Sequence, residues 1–412
     1  MQLSNIHAFR ATKYISRLLL VVLLLCQVVI FGFNEYDGDD LYSYQWGLRN
    51  NGNFAVDRGI LASNHLPYYF NKSLSDTMFF ESKEIADYYR ATDNTMYTAY
   101  AVQDIDTHWE EGYSIFKNLP AKRDAIIAII DTGVDINHYE LTDSVWVNVN
   151  EIPGNNVDDD NNGYVDDIYG YNFHHKNGLV YTSSAIDVHG THAAGIMVAK
   201  HNNNGIKGIA YDANVKIMPL KVLDLNENGY VSSVVSAINY ARDNGAKICN
   251  LSLGSYKYEA SIDQAIRNCP EMVFVVSAGN GANFNGYSLD EKDVYPAKLN
   301  YPNVITVSNV CFDQDKYVSA NYGTYVDVFA PGTFILSTTP ENNFAYLTGT
   351  SMAAPFVSAV CAMIYSRFPN APVELYKNII INGATPIYTL LGLSKSSGIL
   401  NIQNSLIIAS YF

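Results

Sequence analysis

Three residue types that together perform acyl transfer stand in local settings that suit them. Asp131 closes the apolar run AIIAII (125–130), His189 lies in VHGTHAAGI, and Ser351 lies in GTSMAAP, just ahead of an apolar helical stretch. A serine hydroxyl becomes a nucleophile when an imidazole takes its proton and a carboxylate orients that imidazole. The carboxyl end of a strand is where ligands and catalytic groups collect in open α/β sheets. Small residues after His189 let a helix pack closely. A helix beginning at Ser351 offers free amides and partial positive charge to a developing oxyanion. A second constellation is acidic. In VDDDNNGYVDD, residues Asp158, Asp160, Asn162 and Gly163 fit the DxDxNG opening of a calcium loop, with the Tyr164 carbonyl at the backbone position and Asp166 and Asp167 following. Tyr169 stands where an EF-hand has its closing glutamate, so a complete EF-hand is not expected. Oxygen donors at this density favour calcium over a transition metal, with Asp158, Asp160, Asn162, Tyr164 and Asp167 as the expected ligands.

Such groups need a rigid frame. From Asp124 onward, apolar strand-like runs alternate with amphipathic helical stretches: AIIAII, VKIMPLKVL (215–223), KICNLSL (247–253), MVFVVSA (272–278) and NVITVSNV (303–310). Continuous apolar strands imply a sheet covered on both faces, hence a mostly parallel α/β layer structure. SSVVSAINYARDNG (232–245) reads as a helix stopped by Gly245. Residues 53–100 are polar and aromatic without a clear period and read as an irregular extension. No internal repeat or low-complexity tract is present, which excludes a solenoid.

Taken together, and in the order Asp…His…Ser, the three motifs resemble the subtilase family over roughly Leu41 to Leu406. The resemblance implies a three-layer subtilisin-like fold and a serine endopeptidase with Asp131, His189 and Ser351 as its triad. It also implies that Asn280 of SAGNG donates to the oxyanion, while His192 is structural. Substrate would lie extended along Ser252, Leu253 and Gly254, with Ala278 and Gly279 nearby. In DVYPA either Val294 floors the primary pocket, favouring small or medium apolar side chains, or Asp293 turns inward and favours basic ones. Calcium is the implied cofactor, with a weaker second site at Gln45, Glu140 and Asn204. The segment 39–52 resembles the start of a mature catalytic region, so no separate pro-domain of ordinary size is expected; either folding proceeds without one or residues 53–100 serve a comparable regulatory purpose. Rival readings on the same frame are an inactive binding or scaffold protein and a peptide ligase.

Composition narrows the class. The 412 residues carry a formal net charge of −15, which argues against a nucleic-acid partner. Arg10, Lys13 and Arg17 precede the apolar run Leu18–Phe33, the pattern of a secretory leader over residues 1–33 that is either cleaved or retained as a membrane anchor. A secreted or cell-surface monomer is therefore expected, with residues 34–105 leading into a peptidase domain at 106–408. The five cysteines, Cys26, Cys249, Cys269, Cys311 and Cys361, include no CxxC pair, and all but Cys26 read as small buried hydrophobes rather than zinc ligands or disulfides. The Asn250-Leu251-Ser252 sequon falls in a predicted buried strand and is discounted as a glycosylation site.

Overall fold

Seven consecutive residues without a charge until the last, Ala125–Asp131, form the strand from which the rest is organised. It pairs in parallel with Val215–Lys221 on one side and Ile248–Leu251 on the other. The computed structural model describes residues 41–62, 66–224, 228–282 and 285–412. Beyond Ile248–Leu251 the sheet continues through Val273–Ser277, Val304–Val310, Val328–Pro331, Gly398–Ile399 and Thr385–Pro386; beyond Val215–Lys221 it ends in Tyr171–Asn172. Every pairing in this nine-stranded sheet is parallel except that of the last two short strands, Thr385–Pro386 and Gly398–Ile399.

The central strands are buried on both faces, as their unbroken apolar runs require. Ala128, Ile130, Met218, Leu220, Phe274 and Val276 pack with Val234, Ala237 and Ile238 of helix Val231–Asp243 and with Ala265 and Ile266 of helix Ala260–Arg267. Helices Val188–Val198 and Thr350–Arg367 pack on each other and on the sheet. The result is the three-layer α/β arrangement expected. Helix Val231–Asp243 stops as its sequence indicates: Gly245 takes a positive φ of 81°, and the amide of Ala246 returns to the carbonyl of Ala241 at 2.9 Å. Because the chain adds Val215–Lys221 on one side of Ala125–Asp131 and then Ile248–Leu251 on the other, the carboxyl end of that strand lies at a switch point of the sheet, where a cleft opens.

Residues 53–100 differ from expectation. Their described residues contain three helices, Arg58–Ala62, Lys72–Asp76 and Lys83–Thr92, and three short strands. Ala55–Asp57 pairs with Thr98–Tyr100, and Tyr68–Tyr69 extends the hairpin of Ile335–Thr339 and Asn343–Leu347. Phe54 packs on Phe79 and on Phe312, with ring centroids 4.9 and 4.8 Å apart. Strands of two or three residues give no readable alternation, and aromatic partners such as Phe312 of Phe54 and Tyr346 of Tyr68 lie far away in the chain, so no local period betrays them. The helices left a fainter trace: Asn71 and Ser82 cap the second and third, accepting from the amides of Leu74 and Ile85.

Cys249, Cys269, Cys311 and Cys361 are all buried and free. Cys26 and the apolar run Leu18–Phe33 lie outside the described residues. Among the described residues no helix is long and apolar enough to cross a membrane.

Candidate active site and acidic loop

Asp131 sits at the carboxyl end of its strand, buried, and its Oδ1 accepts from the amide of Thr132 at 2.7 Å and lies 2.8 Å from Nδ1 of His189. Its Oδ2 is buried without a hydrogen-bond partner among the described residues. A carboxylate bound to Nδ1 sets the tautomer that leaves Nε2 as a base. His189 is the second residue of helix Val188–Val198 and lines the same cleft as Ser351. His192, one turn further along, is fully buried, and its Nε2 faces the carbonyls of Ile335 and Ala345 at 2.9 and 3.1 Å. Burial pushes its pKa down to about 3, so it is a neutral histidine with a structural part.

Ser351 is the second residue of helix Thr350–Arg367. Pro355 lies four residues on and has no amide hydrogen, so the helix cannot satisfy the Ser351 carbonyl. The hydroxyl of Ser252 does so instead, at 2.9 Å, while the Ser351 hydroxyl donates to the Ser252 carbonyl at 3.2 Å. Ser252 is held in turn by Nδ2 of Asn250, and Oδ1 of Asn250 accepts from Ser358. Asn250 is fully buried, which accounts for setting its sequon aside. This ladder of hydroxyls and one amide ties the serine helix to the end of strand Ile248–Leu251.

Asn280 follows strand Val273–Ser277, and its Oδ1 accepts from the amide of Thr350 at 3.2 Å. An N–H donor can meet only the oxygen of the side-chain amide, so Nδ2 is the group left to face the cleft. Ser252, Leu253, Gly254, Gly279 and Val294 all line that cleft. Gly279 has a φ of 82°, and a Cβ there would come within 3.0 Å of Asn321 Nδ2 and 3.3 Å of Val294. Ala278 does not line it: fully buried, it donates to the Val307 carbonyl and accepts from Asn321 Nδ2, supporting the floor from below. Of the two pocket alternatives, Val294 is buried against the cleft, whereas Asp293 is exposed and paired with Lys298 at 2.8 Å.

The acidic loop is built differently from its sequence pattern. Glu151, Asp160 and Asp167 each offer a carboxylate oxygen, all within 4.8 Å of one another, and Glu151 and Asp167 are buried. Asp158 is turned to the amides of Asn162 and Gly163 and shapes the turn. Asn162 spends its Nδ2 on Asp160 and Asp167 and its Oδ1 on the amide of Tyr164, whose ring packs against Tyr171 and Tyr240. Glu151 was not expected, because it precedes the loop pattern and reaches it through the fold. Its carboxylate already accepts from the amides of Asp159, Asp160 and Asp166. No described lysine or arginine pairs with the three carboxylates. Like charges this close and this buried are tolerated when a cation neutralises them, so the cluster could hold a metal. In the second expected set, Glu140 is fully buried and its Oε1 would meet a side chain on Gly205, beside Asn204, whose Oδ1 is buried without a hydrogen-bond partner among the described residues. Both ends of the Gln45 amide bond the backbone of Lys207.

An imidazole fixed by a buried carboxylate, a serine at a helix start and an amide donor converge on one cleft at a sheet switch point. Residues 122–403 match the Subtilase family, well over half of the chain. The chain belongs to the subtilase family. It is 35% identical over 279 residues to "Subtilisin-like protease 1" of Plasmodium vivax, covering 62% of this chain and 43% of that one. It is 30% identical over 280 residues to "Subtilisin DY" of Bacillus licheniformis, covering 67% and 89%. A crystal structure of a cold adapted subtilisin-like serine proteinase shares the fold with a TM-score of 0.53 and 24% identity, over 68% of this chain and 91% of that one. The chain thus spans less than half the length of the Plasmodium vivax relative.

Proposed function

We propose that this protein is an exported serine endopeptidase that cleaves extended peptide segments through an acyl-enzyme. The observation that carries the reading is the Asp131–His189 contact of 2.8 Å in the same cleft as a serine at a helix start. In this reading the Ser351 oxygen attacks the peptide carbonyl carbon and its proton passes to Nε2 of His189, whose positive charge Asp131 stabilises. The oxyanion receives the Asn280 Nδ2 hydrogen and the Ser351 amide. Collapse breaks the C–N bond, and His189 returns the proton to the leaving amine; water then repeats the sequence on the ester. The substrate backbone runs along residues 252–254. Export rests on the basic-then-apolar leader at residues 1–33, and a dedicated processing role is the narrower form of the reading.

With Val294 as the pocket floor and Asp293 occupied by Lys298, cleavage is expected after small or medium apolar residues and not after basic ones. Digestion of a peptide library by the purified protein, read by mass spectrometry, tests both activity and preference. A folded protein that cleaves nothing overturns the peptidase reading; cleavage after lysine or arginine overturns the pocket assignment alone. Val294→Gly deepens the pocket and should raise the ratio of kcat/KM for phenylalanine over alanine before the cut by about tenfold or more.

Calcium is the cation that best suits Glu151, Asp160 and Asp167, since all three donors are hard oxygens. Its part is structural, fixing the loop against Tyr240, whose hydroxyl donates to Asp167 at 2.5 Å. Burial and the neighbouring Asp167 hold that phenol's pKa well above its ordinary value, so it remains a donor. Chelation should lower the melting temperature by about 5–10 °C, the effect of losing a ligand present well above its Kd. Asp160→Asn should abolish that calcium dependence. A melting temperature indifferent to calcium in the unmutated protein would remove the metal from the proposal.

A further inference from the structure

A buried ion pair lies behind Asp131 and His189. Lys221 ends strand Val215–Lys221 opposite Asp131 in the parallel register and is fully buried. Its Nζ donates to the Thr132 carbonyl and to Oδ1 of Asp187, the latter at 2.6 Å. Asp187 is also fully buried and stands immediately before the helix that carries His189. Its Oδ2 accepts from the amide and hydroxyl of Thr182, at 2.5 and 2.9 Å, and from the amide of Ser183 at 3.0 Å. Thr132 completes the link, giving its amide to Asp131 and accepting from the amide of Gly190 through its hydroxyl at 3.1 Å. Gly133, with a φ of 117°, lets the backbone press so close that a Cβ would lie 2.6 Å from Asp187 Oδ1.

A buried lysine–carboxylate pair gives little net stability over apolar side chains of the same volume, so its use here calls for another account. Building on the peptidase reading above, we propose that Lys221 and Asp187 are positioning residues, a charge-neutral brace that locks the Asp131 turn to the His189 helix. The brace works because its two charges cancel. Asp131 then sets the field at the imidazole. Of the other groups near the turn and the helix, His192 is held neutral by burial, and Asp135, bound by the amides of Asn137 and Glu341, is the same in the parent and in every variant below. Removing one member of the pair both loosens the turn and exposes the other's charge to the catalytic histidine.

Asp187→Asn tests this with little change of shape. In the full-length, calcium-loaded protein, kcat on a cleaved peptide should fall about tenfold with KM nearly unchanged. The uncancelled Lys221 charge disfavours the imidazolium, so the acid limb of the kcat/KM profile should move to lower pH by about half a unit or more. Lys221→Met should move the same limb to higher pH. The double variant should return the limb to its original place while kcat stays low, because charge is rebalanced but the brace is gone. Should either single variant fail to fold, the other and the double decide. A limb that stays put, or moves the same way in both singles, overturns the proposal, as does an unchanged kcat in a variant whose circular dichroism matches the parent. An unmutated protein that hydrolyses no peptide is a different result, and it brings down the peptidase reading on which the brace rests.

Discussion

Ser351→Ala is expected to lower kcat about a million-fold, with folding and calcium response intact. The magnitude is carried over from the corresponding change in a subtilisin. The geometry indicates why the loss should be confined to chemistry. Among the described residues the Ser351 hydroxyl makes one hydrogen bond, to the Ser252 carbonyl at 3.2 Å, while the bond that anchors the helix start uses the Ser351 carbonyl and survives the substitution. Alanine also suits a helix as well as any residue. Stopped assays against the library substrate, with covalent labelling by a fluorophosphonate probe as a second readout, check it. Both signals should disappear together. A variant that keeps either would require another nucleophile.

Asn280→Ala is the next largest, an expected loss of about 100- to 1,000-fold in kcat with KM little changed. That range, too, comes from a subtilisin donor of the same kind. Here the side chain is oriented by Thr350, whose amide meets Oδ1 at 3.2 Å and whose hydroxyl lies 3.4 Å from the same oxygen. The donor is therefore already aimed before substrate arrives, and such preorganisation is what makes a single amide worth so much. Asn280→Asp offers a sharper comparison: it keeps an acceptor for Thr350 but replaces the Nδ2 donor by an oxygen. It should lose at least as much as alanine. Measured kcat for Asn280→Asp above that of the alanine variant would assign Asn280 a packing role instead.

The three residues to which the proposal gives the chemistry could be singled out because each carries its own local signature: a strand-end Asp131, a His189 among small residues, a Ser351 at a helix start. The parallel sheet was legible for a related reason. Strands buried on both faces must be apolar throughout, and AIIAII or MVFVVSA can hardly be anything else in an alternating pattern. Gly245 marked the end of its helix because only a residue tolerant of positive φ serves there.

What composition and spacing left open were the choices made by contacts between distant segments. Whether Asp293 or Val294 faces the pocket depends on Lys298 capturing one of them. Which carboxylates converge in the acidic loop depends on Glu151 arriving from outside the loop's own pattern, and Asp158 is diverted to backbone amides that a linear motif cannot display. Residues 53–100 acquire order by laying Tyr68–Tyr69 along a hairpin whose strands begin at residue 335. Lys221 and Asp187, 34 positions apart, looked like ordinary polar residues until the sheet register set one beside Asp131 and the other before His189. Local sequence specifies a backbone conformation and a buried or exposed face, because those preferences act within a few residues. The partners of a buried charge or a pocket wall are decided only when the chain closes on itself, because it is the removal of water that makes each polar group need one particular neighbour.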